Sequence, residues 1–188
     1  MNTAGLVLAA GAGRRFGMPK ALVPYRNGVL VQHAAGTLRR AGCARTVVVL
    51  GARAADVVEA APDLPETVLN PDWPTGMGSS LRAGLAALAA DDSVDAAVVL
   101  LVDMPGISAE AVRRITVHAA PDALVMGGYG GRRGHPVLLG RAHWRGVAAS
   151  ATGDRGARDY LRSRAVMVVD VGDVADDTDL DRPGDLDA

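Results

Sequence analysis

Short, uninterrupted apolar runs alternate along this chain with stretches of helical periodicity. The runs are Gly5–Ala9, Thr46–Leu50, Thr67–Leu69, Ala96–Val102, Ala123–Met126 and Ala165–Val169. The stretches with apolar residues at helical spacing are Val29–Ala41, Ser79–Ala90 and Ser108–His118. Runs without polar alternation are typical of strands that are buried on both faces, as in parallel sheets. The alternation predicts an α/β fold, a three-layer sandwich around a mostly parallel, Rossmann-like sheet, with residues 1–188 in one domain.

Two segments depart from this alternation. Gly127–Arg145 is rich in glycine and arginine, and we expect an inserted hairpin or loop near the functional site. Asp170–Asp187 is rich in aspartate, and we expect a mostly solvated tail of which one part returns to the site.

The charge balance and composition exclude several classes of protein. Lys and Arg total 20 and Asp and Glu total 21, which gives a formal net charge of −1. A protein that binds nucleic acid through its backbone would carry a basic excess. Aromatic residues make up only 3% of the chain, too few for a reader of single strands by base stacking. We therefore expect no nucleic-acid partner.

Membrane insertion and disulfide bonding are also disfavoured. The longest apolar run, Ala96–Val102, is far shorter than the ~20 residues that cross a bilayer. The apolar segment Gly5–Ala10 precedes Arg14 and Arg15, which is the reverse of the order in a secretory signal. Cys43 has no second cysteine to pair with. We expect a cytoplasmic protein with no membrane partner.

A glycine-rich turn follows the first predicted strand. It contains Gly11, Gly13 and Gly17, with Arg14 and Lys20 beside them. Open α/β sheets bind ligands at such a turn, because glycines let backbone N–H groups approach phosphate oxygens closely. The glycine spacing is one residue longer than the dinucleotide fingerprint, and the Lys-Ser or Lys-Thr pair of a P-loop is missing. The turn predicts a phosphate site that is neither a nicotinamide site nor a P-loop.

Asp103 directly follows the apolar run Ala96–Val102. A carboxylate at the carboxyl end of a parallel strand faces the ligand crevice, where its oxygens can bind Mg²⁺. The alternative role is a helix N-cap, but Ser108 is placed to supply that cap. We predict that Asp103 is a metal ligand and that Arg14 and Lys20 are catalytic cations that neutralise phosphate charge.

Five stretches of the sequence together resemble one family. They are Leu8–Lys20, Asn70–Arg82, Leu101–Pro105, Gly134–Val137 and Gly153–Arg158. In this order they resemble the molybdenum cofactor cytidylyltransferases, a group within the MobA-like NTP transferase family. The resemblance covers nearly the whole chain and implies the fold of the nucleotide-diphospho-sugar transferases. It also implies a Mg²⁺-dependent enzyme that transfers a nucleoside monophosphate from an NTP to the phosphate of molybdopterin and releases pyrophosphate.

The resemblance implies a second acidic metal ligand near the C-terminus. Asp179–Asp185 is similar to the family's stretch Asp-x-Asp-Thr-Pro-Glu-Asp, although Arg182 and Gly184 depart from it. On this basis Asp181 is assigned as the second metal ligand, with Asp179 as the alternative.

The resemblance further implies which residues bind the nucleotide. They are Leu8, Ala9, Ala10, Gly11, Gly13, Gly78 and Ser79. In the family an Ala-Ala pair before the glycines goes with CTP, whereas glycines there go with GTP, so Ala10 favours CTP. Gly78 and Ser79 are expected to contact the base or ribose through backbone groups at a helix N-terminus, which Ser79 also caps.

His135 follows Arg132 and Arg133 in a glycine-rich loop. We expect His135 to bind the acceptor, through its phosphate or its pterin ring. The partners under this hypothesis are an NTP, a molybdopterin-type acceptor and a molybdoenzyme that receives the product. Three alternatives stay open: a guanylyltransferase that uses GTP, an oxidoreductase of related fold, and a non-catalytic chaperone that binds the cofactor for insertion.

Overall fold

A seven-stranded sheet forms the centre of the computed structural model, which describes residues 1–187. The strands are Thr3–Ala9 (β1), Pro24–Tyr25 (β2), Gly28–Val29 (β3), Thr46–Leu50 (β4), Glu66–Leu69 (β5), Ala96–Leu101 (β6), Leu124–Tyr129 (β7), Arg132–Gly140 (β8) and Met167–Asp170 (β9). β2 and β3 form a separate ribbon, and the others lie in the order β5-β4-β1-β6-β8-β7-β9. Among the described strands of this central sheet, β8 alone runs antiparallel to both of its neighbours. The expected mostly parallel sheet is confirmed.

Helices cover both faces of this sheet. They are Leu30–Arg40 (α1), Ala54–Ala60 (α2), Met77–Ala89 (α3), Ala109–Thr116 (α4), Arg141–Ser150 (α5) and Arg158–Arg162 (α6). Side chains of β1 alternate between the faces: Leu6 and Leu8 pack with α3, α5 and α6, whereas Val7 and Ala9 pack with α1, α2 and α4. The predicted three-layer sandwich is confirmed. No helix within residues 1–187 is long and apolar enough to cross a membrane.

The segment expected to be an inserted hairpin belongs to the central sheet. It forms β7 and β8, and Val137 of β8 pairs with Val99 of β6. Val137 and Leu139 pack against the layer that contains α3, whereas Leu138 packs against the opposite layer. β8 is therefore a structural strand whose second half is buried on both faces. The polar start of β8, Arg132–Gly134, hides this pattern in the sequence.

The start of α3 differs from the prediction. The helix begins at Met77 with Gly76 as its N-cap residue, and Gly76 has a φ of 110°. Ser79 therefore lies inside the first turn, where its hydroxyl donates to the Gly76 carbonyl oxygen at 2.8 Å. The expected cap by Ser79 is wrong because the N-cap residue is Gly76, three residues earlier.

The acidic C-terminal tail returns along the loop that follows β6. The Leu180 N–H donates to the Asp103 carbonyl oxygen at 2.9 Å, and the Asp176 N–H donates to the Gly106 carbonyl oxygen at 3.1 Å. Leu180 is 6% exposed, so packing holds the tail as well as hydrogen bonds. One part of the tail thus reaches the carboxyl edge of the sheet, as expected.

Candidate active site

Two adjoining cavities open at the carboxyl edge of the sheet, where β1 and β6 end. The glycine-loop cavity has a volume of about 490 Å³. It brings together eight predicted site residues: Leu8, Ala10, Gly11, Gly13, Arg14, Lys20, Asp103 and Asp181. The sheet cavity has a volume of about 530 Å³, lies between the sheet and the helices α3 and α6, and contains His135. Leu8, Met77, Leu101, Asp103 and Asp154 line both cavities.

The glycine loop after β1 is held by its own backbone. Gly13 has a φ of 62°, and a Cβ there would overlap the carbonyl oxygen of Met18. The Gly17 N–H donates to the Gly13 carbonyl oxygen at 2.8 Å, and the Phe16 side chain is 8% exposed in the core. At Gly11 a Cβ would meet no atom within 4 Å, because the loop faces open space there. The loop conformation therefore requires glycine at position 13 and leaves room for a ligand at Gly11.

Lys20 lies between the two predicted metal ligands. Its Nζ atom is 2.8 Å from Oδ2 of Asp103 and 3.5 Å from Oδ1 of Asp181. The side chains of Lys20 and Asp103 are 16% and 20% exposed, so solvent screens their interaction only in part. Arg15, which the sequence analysis leaves out of the site, also lines the cavity and approaches Asp181 at 3.8 Å.

The backbone around Asp181 is fixed by a carboxylate further along the tail. Oδ2 of Asp185 accepts hydrogen bonds from the Asp181 N–H and the Arg182 N–H, both at 2.8 Å. Backbone hydrogen bonds from Arg182 and Asp181 lower the pKa of Asp185 below its usual range. Asp179, the alternative ligand, lines the sheet cavity instead of the glycine-loop cavity. The geometry favours Asp181 over Asp179 as the partner of Asp103.

The donor set at Asp103 and Asp181 fits a divalent cation that binds together with phosphates. Within residues 1–187 no group of three or more His, Cys, Asp or Glu side chains is arranged to hold a metal. Two carboxylates are nevertheless the usual protein contribution to Mg²⁺, which completes its shell with water and substrate phosphate oxygens. These residues could therefore hold Mg²⁺ or a similar oxygen-preferring ion.

Three predicted nucleotide contacts lie outside the glycine-loop cavity. The Ala9 side chain is 3% exposed and packs in the α1 layer, whereas Ala10 faces the cavity. At Gly78 a Cβ would lie 2.8 Å from the carbonyl carbon of Ala151, so glycine lets α3 pack closely against that segment. Ser79 is 6% exposed and bonds to the Gly76 carbonyl. The side-chain positions of Ala9, Gly78 and Ser79 shape the site without lining it.

A buried hydrogen-bond network beside the glycine-loop cavity is missing from the sequence predictions. The Asn70 amide is buried and donates to Oγ of Ser79 at 2.8 Å and to Oγ of Ser80 at 3.0 Å. Ser80 lines the glycine-loop cavity together with Trp73. Asn70 directly follows β5, and a polar residue at that edge of the sheet is the signal that would identify it.

His135 lies in the sheet cavity, on β8. Burial lowers the pKa of the His135 imidazole to about 4, although the nearby carboxylates of Asp103 and Asp177 act in the opposite direction. The ring is therefore neutral near pH ~7. It can donate one hydrogen bond and accept another, but it supplies no positive charge. Asp177 also lines this cavity and is held by Arg132 at 2.9 Å.

Comparison with known proteins gives consistent matches along the chain. Nicotine blue oxidoreductase from Paenarthrobacter nicotinovorans is 40% identical, in an alignment that covers 94% of this chain and 91% of that protein. The Mycobacterium sp. strain JC1 homologue of Mycobacterium tuberculosis Rv0371c is 27% identical, with a TM-score of 0.84, covering 99% of this chain and 93% of that one. Rv0371c from M. tuberculosis H37Rv in complex with manganese is 29% identical, with a TM-score of 0.79, covering 96% and 94% of the two chains.

Residues 5–168 match the family of the MobA-like NTP transferase domain. That span contains the glycine loop, Lys20 and Asp103, whereas Asp181 lies beyond it in the tail. The resemblance carried by the five motifs, the mostly parallel sheet and the extent of this match agree, and the chain belongs to the MobA-like NTP transferase family.

Proposed function

We propose that this protein transfers a nucleoside monophosphate, with CMP favoured, from an NTP to the phosphate of a molybdopterin-type acceptor and releases pyrophosphate. The observation that carries the proposal is the cluster at the mouth of the glycine loop, where Lys20 lies between Asp103 and Asp181. A cation flanked by two carboxylates beside a glycine turn is suited to a metal-bound triphosphate chain.

The chain's own residues would align and neutralise the triphosphate. Gly11 and Gly13 leave backbone N–H groups free to approach phosphate oxygens, and Arg14 and Lys20 supply positive charge on the same cavity wall. Asp103 and Asp181 would hold the Mg²⁺ ion. When bound, the ion supplies charge neutralisation at the phosphate oxygens. Such preorganised charge is the main source of catalysis in phosphoryl transfer.

The reaction needs no general base from the protein. An acceptor phosphate oxygen is already deprotonated near pH ~7, with its second pKa at about 6. That oxygen forms the new bond to the α-phosphorus, and the bond from the α-phosphorus to the bridging oxygen of pyrophosphate breaks. Lys20 and Arg14 stabilise the charge that develops on the departing pyrophosphate. A neutral His135 is suited to orienting the acceptor by hydrogen bonds.

Specificity for CTP is the finer part of the proposal. Ala10 lines the glycine-loop cavity, and its carbonyl oxygen accepts a hydrogen bond from the Ala52 N–H at 2.9 Å. This hydrogen bond supports a fixed position for the Ala10 methyl group in the cavity lining. In the family that the motifs resemble, alanine at this point accompanies cytidine.

The test measures pyrophosphate release with Mg²⁺, molybdopterin and each of CTP, GTP, ATP and UTP. We expect the largest signal with CTP. A larger signal with GTP would contradict the cytidine assignment and favour the guanylyltransferase. No pyrophosphate above a protein-free control with any nucleotide would contradict the transferase proposal itself.

An oxidoreductase is the second candidate, and the 40% identity with nicotine blue oxidoreductase favours it. The glycine spacing of this chain is one residue longer than the dinucleotide fingerprint, which argues against a nicotinamide site. The two candidates separate when the protein is given nicotine blue and a reduced nicotinamide cofactor, without any NTP. Consumption of nicotine blue at a rate proportional to protein concentration would support the oxidoreductase.

A further inference from the structure

The two edges of the central sheet differ in how well they are protected. The sheet ends in β5 on one side and in β9 on the other. Edge strands pair with other chains unless prolines or charges prevent it. Pro65 directly precedes β5, Pro71 follows it closely, and Glu66 of β5 pairs with Arg45 at 2.9 Å. β9 contains no proline and no charge before its last residue. β9 is therefore the edge that is open to pairing.

The outward backbone groups of the β9 edge belong to alternate residues. The Val171 N–H donates to the Gly128 carbonyl oxygen of β7 at 3.1 Å. Because backbone groups alternate between the two sides of a strand, the odd-numbered positions of this strand bond to β7. Val166, Val168 and Asp170 direct their N–H and C=O groups away from the sheet. Among the described residues none of these groups bonds to a loop or a helix, so the edge presents a row of unpaired donors and acceptors.

The side chains of β9 are apolar and exposed on both faces of the sheet. Met167 is 51% exposed and Val168 is 45% exposed, and successive side chains of a strand point to opposite faces. Neither residue lines the glycine-loop cavity or the sheet cavity. A further strand added at this edge would cover both side chains and bond to the outward backbone groups at the same time.

Opposite charges flank the strand at equal distances from its first residue. Arg164 lies three residues before Met167, and Asp170 lies three residues after it. The Arg164 guanidinium lies 3.7 Å from the ring centroid of Tyr160 and donates to Oγ of Ser163 at 3.1 Å. Among the described residues no carboxylate lies within 4.0 Å of Arg164, and no cation lies within 4.0 Å of Asp170. The segment is therefore complementary in charge to an antiparallel copy of itself.

We propose that two copies of this chain associate through β9, with the two strands antiparallel and a two-fold axis at Met167. In this register Val166 of one protomer lies opposite Val168 of its partner. Arg164 likewise lies opposite Asp170 of its partner. Val166 and Val168 carry the outward backbone groups, so they exchange hydrogen bonds in both directions. A shift by one residue would lose these hydrogen bonds, and a shift by two would separate the opposite charges.

This pairing joins the two central sheets into one continuous sheet whose outer edges are the two protected copies of β5. The interface uses the same surface of both protomers, so it closes at a dimer. Because the parallel strands of the two protomers then run in opposite directions, the carboxyl edges of the sheets face opposite ends of the dimer. Each glycine-loop cavity stays open, and the dimer does not depend on the proposed function.

Sedimentation velocity of the full chain over a range of concentrations measures the association. We expect a dimer in the wild type and association at least about tenfold weaker in Val168→Lys, because a lysine on an edge strand opposes pairing. Val58→Lys is the matched control, since Val58 is a valine of α2 with 46% exposure. A wild type that stays monomeric at about 100 μM would overturn the proposal. Equal effects of the two substitutions would also overturn it.

The charge pairing is tested by Arg164→Asp and Asp170→Arg. Each variant alone places like charges opposite each other at both ends of the interface, so we expect each to be monomeric. A mixture of the two variants places opposite charges at both ends, and we expect it to form a heterodimer. A mixture that does not associate, or a single variant that dimerises as tightly as the wild type, would overturn the proposed register.

The two-fold axis is tested by Met167→Cys. In this register the two copies of position 167 form a non-hydrogen-bonded pair, in which the Cβ atoms approach closely enough for a disulfide. We expect a covalent dimer on mild oxidation, detected by non-reducing electrophoresis. Val168→Cys lies opposite Val166 of the partner and should cross-link far less, and Cys43 is buried in every variant. Equal cross-linking of the two cysteine variants would overturn the position of the axis.

Thermal unfolding checks that each variant folds, and pyrophosphate release separates this inference from the proposed function. Val168→Lys lies outside both cavities, so we expect the wild-type rate per protomer. Dimerisation through β9 without pyrophosphate release would contradict the proposed function alone. Pyrophosphate release by a wild type that remains monomeric would overturn this inference alone.

Discussion

The Nζ atom of Lys20 lies 2.8 Å from Oδ2 of Asp103, in the position that a metal ion would compete for. Asp181 approaches the same ammonium at 3.5 Å, so Lys20 contacts both carboxylates, whereas Arg15 approaches Asp181 alone, at 3.8 Å. Replacing Lys20 by methionine should therefore raise the affinity for Mn²⁺ in the absence of nucleotide by about tenfold, since both carboxylates lose their compensating charge. Electron paramagnetic resonance of free Mn²⁺ measures this directly. Arg145→Met, at an exposed position outside both cavities, is the control, and an equal or weaker affinity in Lys20→Met would contradict the competition.

The two carboxylates should contribute unequally to the reaction. Asp103→Asn should lower pyrophosphate release by about 10²–10³-fold, because this carboxylate is largely shielded and contacts Lys20 directly. Asp181 is 49% exposed, and Asp181→Asn should cost less, about tenfold. The assay is pyrophosphate release at saturating CTP. Asp122→Asn, an exposed position away from both cavities, should match the wild type. Equal losses at Asp103 and Asp181 would refute this ranking.

Alanine substitutions at two glycines of the same loop should differ in their effect on folding stability, although both should weaken nucleotide binding. Gly13→Ala should lower the free energy of unfolding by about 1–3 kcal/mol, because its φ is left-handed and the methyl group meets the Met18 carbonyl. Gly11→Ala meets no protein atom within 4 Å and should leave stability nearly unchanged, but its methyl group projects into the cavity. Nucleotide affinity should therefore fall in both variants. Urea unfolding and calorimetry measure the two quantities, and wild-type nucleotide affinity in Gly11→Ala would be the contrary result.

His33 should make stability depend on pH. Burial lowers the pKa of its imidazole below the ordinary value of 6.5, helped by Arg26 and Arg40 and opposed by the hydrogen bond to the Pro105 carbonyl oxygen. A depressed folded-state pKa means that the unfolded chain binds more protons below pH 6.5. The free energy of unfolding should therefore fall as the pH falls from 6.5, and it should be regained above 6.5.

The measurement is urea unfolding at several pH values between about 5 and about 6.5, where histidines titrate and most carboxylates do not. His33→Gln should give a shallower slope of unfolding free energy against pH than the wild type. His135 has a lowered pKa of the same sign and will leave part of the slope in place. His118→Gln, at an exposed position, is the control and should keep the wild-type slope. An unchanged slope in His33→Gln would disprove the assignment.

The closeness of Lys20 and Asp103 could be predicted because both follow strands that end at the same edge of a parallel sheet. The same reasoning applies to Leu8 and Ala10, which lie two residues apart and therefore face the same side, whereas Ala9 faces the opposite side. Strict use of that alternation would have excluded Ala9 as a side-chain contact. The strand runs rich in valine were predicted for a related reason, since burial on both faces leaves a continuous apolar pattern.

Other parts of the site depend on contacts that are distant in sequence. Gly78 is required by the backbone near Ala151, and β8 enters the sheet by pairing with β6. Neither relationship leaves a local signal. The position of Asp181 came from resemblance alone, because the tail is placed by a hydrogen bond between Leu180 and Asp103 and by the burial of Leu180. The local spacing of apolar residues does not indicate that the C-terminal tail packs beside Asp103.

The hydrogen bond from Leu180 to Asp103 has a consequence for how the site is assembled during translation. The glycine loop, β6 and Asp103 leave the ribosome well before the tail does, so they can fold while Asp181 is still being synthesised. The second carboxylate arrives only when Leu180 docks beside the completed sheet. A nascent chain that is released early would thus possess the glycine loop and Asp103 but not Asp181, the second of the two proposed metal ligands.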